Sequence, residues 1–130
     1  MSWLVREQEL TTHDADVLST LFCIGNGRVT VRGTDAEQRY DAYRGVYMGG
    51  LYTRAPWGLM YYLGAPDWLT AFVRIGDKTL QPAASQRTLD MRRGMLVRTA
   101  RLELGDVVLQ VEEQRFAYFA HPNPMAQRYS

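Results

Sequence analysis

With 130 residues, the chain has the length of one ordinary domain. Apolar residues make up 46% of it, which excludes global disorder. A formal net charge of +1 calls for neither nucleic acid, nor an anionic membrane, nor an acidic partner. Lys78 is the only lysine, so positive charge is carried almost wholly by arginine. The planar guanidinium fork suits carboxylates and phosphates, although codon bias explains the usage as readily. Cys23 is alone, which excludes an internal disulfide framework and is compatible with a reducing cytosol. "MSWLVREQEL" lacks the apolar run of a signal peptide, and no segment approaches the ~20 apolar residues of a membrane span. A cytoplasmic location without membrane contact is therefore expected.

In chain order, "THDADVLSTLF" predicts one short helical turn, with Thr12 or Asp14 as N-cap. Cys23, beside Leu21, Phe22 and Ile24, reads as a small buried thiol rather than a nucleophile. "LFCIGNGRVTVRG", Leu21 to Gly33, invites a phosphate-loop reading, but that reading fails. A dinucleotide fingerprint needs its third glycine at position 30, which is Thr30, and a helix where a β pattern follows. No Gly-Lys-Ser/Thr tripeptide exists for a Walker loop. Asn26-Gly27 instead predicts a type I′ hairpin turn between arms at Ser19–Ile24 and Arg28–Arg32. "TDAEQRYDAY" places Glu37 three positions after Thr34, a capping box that predicts a second short helix. "GVYMGGLYT" predicts a strand with a bulge or close backbone approach at Gly49-Gly50.

"RAPWGLMYYLGAPDW" predicts a loop or irregular strand between Pro-Gly bends. "DWLTAFVRIG" alternates with apolar bulk on both faces, which predicts a central strand. "MLVRTARLELGDVVLQVEEQRFAYF" predicts a hairpin about Gly105-Asp106. In its first arm Leu96, Arg98, Ala100, Leu102 and Leu104 share a face; in the second, Val107, Leu109 and Val111 share one. The fold class expected is all-β and antiparallel, a sandwich or barrel-like sheet. No repeat or linker divides residues 1–130, so a single domain is expected.

Few residues offer chemistry. Glu112 and Glu113 are adjacent on a strand, point to opposite faces and cannot flank one glycosidic bond. Asp14 and Asp16 read as cap or solvated loop, and Asp90 as an acceptor within the turn before Gly94. His13 and His121 stand far apart without spaced partners, so no metal site is expected. Trp57, Tyr61, Tyr62 and Trp68 crowd the middle of the chain. Trp57, Tyr61 and Trp68 are the candidate surface for stacking sugar rings; the structural reading is that they fill the core or meet an abutting domain.

Five segments fall in the order of a known family. "LFCIGNGRVTVRG" resembles "lF.lGNGylG.RG" near the start of glycoside hydrolase family 65, which holds maltose, trehalose and kojibiose phosphorylases and related hydrolases. "YRGVYMGGLY" resembles "gtYvaGvY", and "GAPDWLTAFVRIGD" resembles "nlPnwl.l.i.i.G". "RTLDMRRGMLVR" resembles "r.LDm..G.L.R", the most telling piece. "EQRFAYFAHPNPMAQRYS" resembles "eRf.s....hl.a.ry.i". Arg28, Val29 and Thr30 depart from the family's Tyr-Leu-Gly. The motif residues are Asn26, Gly27, Arg32, Gly33, Asp90, Gly94 and Arg98.

The resemblance implies an N-terminal β-sandwich of the mutarotase-like supersandwich type, incomplete where the family's first domain continues through further strands. It implies a catalytic (α/α)₆ barrel as partner, outside this chain, and so no catalytic residue here. The parent reaction would be attack of phosphate or water on an α-glucosidic bond in a disaccharide. No cofactor is implied; inorganic phosphate would be a substrate of the parent. Scaffolding and interface are the expected role, with a homo-oligomer expected from unpaired strand edges. The rival readings are a stand-alone carbohydrate-binding module and a small mutarotase-like epimerase. Arg32 and Arg98, each ending a glycine-turn motif, are expected either buried against Asp90 or Glu103, or exposed toward the barrel.

Overall fold

Antiparallel pairing between sequence neighbours builds most of the molecule in the computed structural model, which describes residues 2–12, 14–37, 45–120 and 125–130. Strand β1 (Leu4–Arg6) leads through a 3₁₀ turn (Glu7–Glu9) to helix α1 (Ala15–Leu21). Strands β2 (Ile24–Gly25), β3 (Val29–Val31), β4 (Val46–Arg54) and β5 (Met60–Gly64) form one sheet in that order. The short strands β6 (Arg74–Ile75) and β7 (Lys78–Thr79) pair with each other. Strands β8 (Gln81–Asp90), β9 (Met95–Leu104), β10 (Val107–Ala117) and β11 (Met125–Tyr129) form the larger sheet, with β1 added beside β8. The chain is an all-β antiparallel sandwich, as its sequence predicts.

The hydrophobic core lies between the sheets. Ile24, Val31 and Val46 are cross-strand partners that face inward from the small sheet. They meet Leu18 of α1, Phe22 just past its end, and Leu96 of β9. A second apolar group, Leu80, Ala100, Leu102 and Val111, occupies the other end of the large sheet. Helix α1 is capped by Asp14, whose Oδ1 accepts from the N–H groups of Asp16 (2.9 Å) and Val17 (3.1 Å). Asp14 is thus one of the two caps that the sequence offers.

Several expectations are corrected. The helix runs to Leu21, so the first arm of the Asn26-Gly27 hairpin is two residues long rather than Ser19–Ile24. Gly27 has φ +84° and no non-glycine residue among those described has positive φ, which is the II′ pattern and not I′. Asn26 accepts from the N–H groups of Arg28 and Val29 instead of entering the left-handed region itself. Residues 67–73 do not form a central strand. Asp67 holds them out of the ladder, accepting from Leu69 N–H (3.0 Å) and Thr70 Oγ1 (2.8 Å). Only Leu69 of that stretch is buried, while Trp68 and Phe72 are exposed. "RAPWGLMYYLG" is a regular hairpin: Gly58 N–H donates to Ala55 O and its φ of +94° closes the loop between β4 and β5.

Other expectations hold. The β4–β5 register shifts between Tyr47 and Tyr52, around Gly49-Gly50. Gly49 N–H also approaches Arg28 O at 2.6 Å, so bulge and close approach coincide. The β9–β10 hairpin turns at Gly105-Asp106, with Leu104 opposite Val107. Leu96, Arg98, Ala100 and Leu102 are buried on one face, whereas Val107 and Leu109 at the turn end are exposed. Of the expected second helix, residues 38–43 lie outside the described residues. Glu37, its proposed cap partner, is committed elsewhere.

Candidate functional site

Two places in the sandwich concentrate polar chemistry or exposed aromatic surface. The first is a charged row across the inner face of the large sheet. Strand register aligns Arg87, Arg98, Glu113 and Tyr129 on β8, β9, β10 and β11. Arg98 stands between Leu96 of one apolar group and Ala100 of the other, and is 2% exposed. Two arginines opposite each other would repel. Asp35, from the segment after β3, prevents this: its Oδ1 lies 2.5 Å from Arg87 Nη2 and 2.9 Å from Arg98 Nε. Glu7 accepts from Arg87 Nη1 at 2.9 Å, and Glu113 accepts from Arg98 Nη1 at 2.9 Å. Glu37 accepts from Arg98 Nη2 and from the Tyr129 hydroxyl.

Arg115 completes the row's edge. Its Nε donates to Glu113, and its Nη groups donate to Arg32 O (3.2 Å) and Thr34 O (2.7 Å). Three guanidinium groups therefore face four carboxylates in a largely buried seam, and segment 32–37 is tied down by all three arginines. Burial pulls the Arg98 guanidinium downward, but Asp35, Glu37 and Glu113 together reverse this and hold it above its ordinary range. For Arg115 burial prevails over Glu113, and the direction is downward. Tyr129 is raised, by burial first and then by donating to Glu37. Each carboxylate of the seam is engaged by the seam's own arginines or by Tyr129.

The motif residues sort as follows. Arg98 is buried and paired, but with Asp35, Glu37 and Glu113, not with Asp90 or Glu103. Its side chain crosses between the sheets, whereas Asp90 lies at the turn end of β8 and Glu103 pairs with Arg101 on the surface. Arg32 does not meet them either. Its Nη2 donates to Asp16 O (2.7 Å), Ser19 Oγ (2.6 Å) and Thr20 Oγ1 (2.8 Å), fastening α1 to the small sheet. Gly33 N–H donates to Ser19 O, and a Cβ at Gly33 would come within 2.5 Å of Phe22 Cβ. Asp90 accepts from the N–H groups of Arg92 and Arg93, and Gly94 turns with φ +63°. Asn26 also donates from Nδ2 to Tyr118 O, joining its hairpin to the end of β10. Cys23 is half-buried rather than buried; burial raises its thiol despite Arg32 nearby, which suits an inert sulfhydryl.

The seam's other members escaped the sequence reading. Glu113 and Arg115 alternate with Val111 on the inward face of β10, a period-2 signal that an inward charge belongs there. Glu37 was hidden by its fit to a capping box. Glu112 is exposed and Glu113 buried, on the opposite faces that adjacent strand residues take.

The second place is the outer face of the small sheet. Gly25, Thr30, Tyr47 and Gly64 form one cross-strand row, and Tyr52 opposite Tyr62 forms the next. Tyr62 packs edge-on to Tyr47 (ring centroids 6.2 Å apart) and tilted on Tyr52 (4.9 Å). A cavity of about 570 Å³ opens over this face, lined by Tyr47, Tyr61 and Tyr62 on one side and Gly27, Arg28 and Thr30 on the other. Trp57 sits at the tip of the β4–β5 hairpin, 74% exposed, and Trp68 on segment 67–73 is 40% exposed. Neither lines the cavity, whereas Tyr61 does. None of these aromatics fills the core, which corrects that half of the structural reading; their exposure agrees with the other half, contact with an abutting domain. His13 and His121 lie outside the described residues; among the described residues no cluster of His, Cys, Asp and Glu is placed to hold a metal ion. No helix among them is long and apolar enough to cross a membrane.

Comparison with known proteins adds the context. The family described as "Glycosyl hydrolase family 65, N-terminal domain" matches residues 5–130. A nigerose phosphorylase of Lachnoclostridium phytofermentans is 24% identical over 135 residues, an alignment spanning this whole chain and 18% of that protein. A kojibiose phosphorylase of Thermoanaerobacter brockii is 27% identical over 120 residues, 88% of this chain and 16% of that one. Among solved structures, a protein from the human microbiome provisionally named a kojibiose phosphorylase superposes with a TM-score of 0.83 at 15% identity. It covers 97% of this chain and 19% of its own. The chain thus spans less than a fifth of the length of these relatives.

Proposed function

Because this chain belongs to glycosyl hydrolase family 65 through its N-terminal domain, we infer that it is the non-catalytic sandwich of an enzyme that cleaves α-glucosidic disaccharides. Its role in that reading is to support and orient a catalytic (α/α)₆ barrel. The observation that carries it is the closed seam. The buried carboxylates Glu37 and Glu113 are consumed by Arg98, Arg115 and Tyr129, so no pair of free carboxyl groups converges on a cleft among the described residues. Named relatives that act by phosphorolysis favour phosphate over water as the acceptor in the parent enzyme.

The exposed apolar hairpin favours an interface. Trp57, Leu59, Met60 and Leu63 are all solvent-facing on β4–β5, a patch of the kind that adjoining domains or second copies cover. Self-association of the isolated chain belongs to the same reading.

The test is direct. The chain alone is expected to release no glucose 1-phosphate from kojibiose or nigerose in phosphate buffer, and to elute above its monomer mass. Joined to a family barrel that lacks its own sandwich, it is expected to restore phosphorolysis. Turnover by the chain alone, or full activity of the barrel without it, overturns the reading.

A further inference from the structure

The cavity over the small sheet has features that a covering protein domain does not require. Its floor is bare backbone: Gly27 and Gly49 approach so closely that a Cβ on Gly49 would lie 3.4 Å from both Gly27 O and Arg28 O. Gly25 and Gly64 flank the Thr30–Tyr47 pair, so this row of the sheet presents small residues on both sides of that pair. Tyr47 and Tyr62 stand at 66° to each other and form a corner of two ring faces. Above them Arg28 is exposed and forms no ion pair with any described residue.

We propose that this cavity binds the pyranose end of an α-glucoside. A pyranose has an apolar C–H face and a rim of hydroxyl groups. The tyrosine corner meets the face, because an aromatic ring combines apolar area with a polar tip. The guanidinium fork of Arg28 meets the rim, since two parallel N–H groups suit adjacent oxygens. The Thr30 hydroxyl adds a group that both donates and accepts, as a polyol requires. One cation among three phenols fits a neutral ligand better than a phosphate. The volume of about 570 Å³ lies within the roughly 300–1,000 Å³ of small-molecule sites. The site class rests on the disaccharide-enzyme reading above; the location rests on geometry alone.

The experiment titrates the full 130-residue chain with kojibiose and with nigerose, following backbone amide NMR shifts of Gly27, Thr30 and Gly49. Saturable shifts with a millimolar Kd are expected. Arg28→Ala and Tyr62→Ala are each expected to weaken binding about tenfold, about 1.4 kcal/mol. Trp3→Ala, an exposed ring on the other sheet, is the control and leaves Kd unchanged. Tyr62→Phe keeps the ring and the fold, and retains most of the affinity if stacking carries it. Absence of saturation, or binding unaffected by both Arg28→Ala and Tyr62→Ala in folded chains, overturns the site. A chain that binds no sugar yet restores a barrel's phosphorolysis sinks this site only. A chain that turns over disaccharide sinks the scaffold reading instead.

Discussion

The inner face of the large sheet and the outer face of the β4–β5 hairpin exchange the usual places of charge and aromatic bulk. Arg98, Arg115 and Glu113 are almost fully buried, while Trp57, Tyr61 and Tyr62 stand in solvent. The difference lies in partners, not in polarity. Every charge in the seam meets an opposite charge at hydrogen-bonding distance, so the cost of leaving water is offset within the protein. Among the described residues, Trp57, Tyr61 and Tyr62 keep at least half of their surface exposed, so their apolar area remains available. A region closed on itself reads as structure; a region left open reads as a binding surface.

The largest effect that tests this contrast comes from Arg98→Leu. It leaves Glu37 without its cation and takes one of two arginine partners from Asp35 and from Glu113, and removing one partner of a buried pair costs about 3–5 kcal/mol. Against a total stability of roughly 5–15 kcal/mol this moves the urea midpoint far down. A loss below about 1 kcal/mol would mean that water reaches the seam, and the contrast would break.

Tyr129→Phe sharpens it. Loss of one hydroxyl donated to Glu37 is expected to cost about 1 kcal/mol at neutral pH. The effect on pH dependence is more specific. Burial and the Glu37 bond raise the folded-state value of the phenol above the ~10 of an unfolded tyrosine. A raised group contributes in full below its unfolded value and loses that contribution as pH rises toward its folded one. Stability should therefore fall above about pH 10, and fall less steeply in Tyr129→Phe. Parallel alkaline limbs in the two proteins would contradict the assignment.

The smallest effect belongs to the open region. Trp57→Ser, at a position 74% exposed, is expected to change stability by less than about 0.5 kcal/mol in the same urea assay. A loss several times larger would show that the hairpin tip is packed in solution.

Much of the architecture was legible because it is local. The β9–β10 hairpin announces itself by alternation around Gly105-Asp106, and α1 by its Asp14 cap. The Gly49-Gly50 bulge follows from two adjacent residues without side chains in a strand. Segment 67–73 was misread because its alternation was real while a single side chain, Asp67, supplied hydrogen bonds that compete with a ladder. Arg98 was visible as an inward charge, but its carboxylate partners lie 15 and more positions away in sequence, on other elements.

Periodicity, turn chemistry and motif order in the sequence alone thus determined an antiparallel sandwich and its family. They do so because hydrogen-bond ladders and two-residue turns are set by neighbouring residues. Which carboxylate meets which arginine, and which tyrosines share a corner, only the tertiary structure decided. Those encounters depend on strand register and sheet packing, which bring together residues that no local pattern relates.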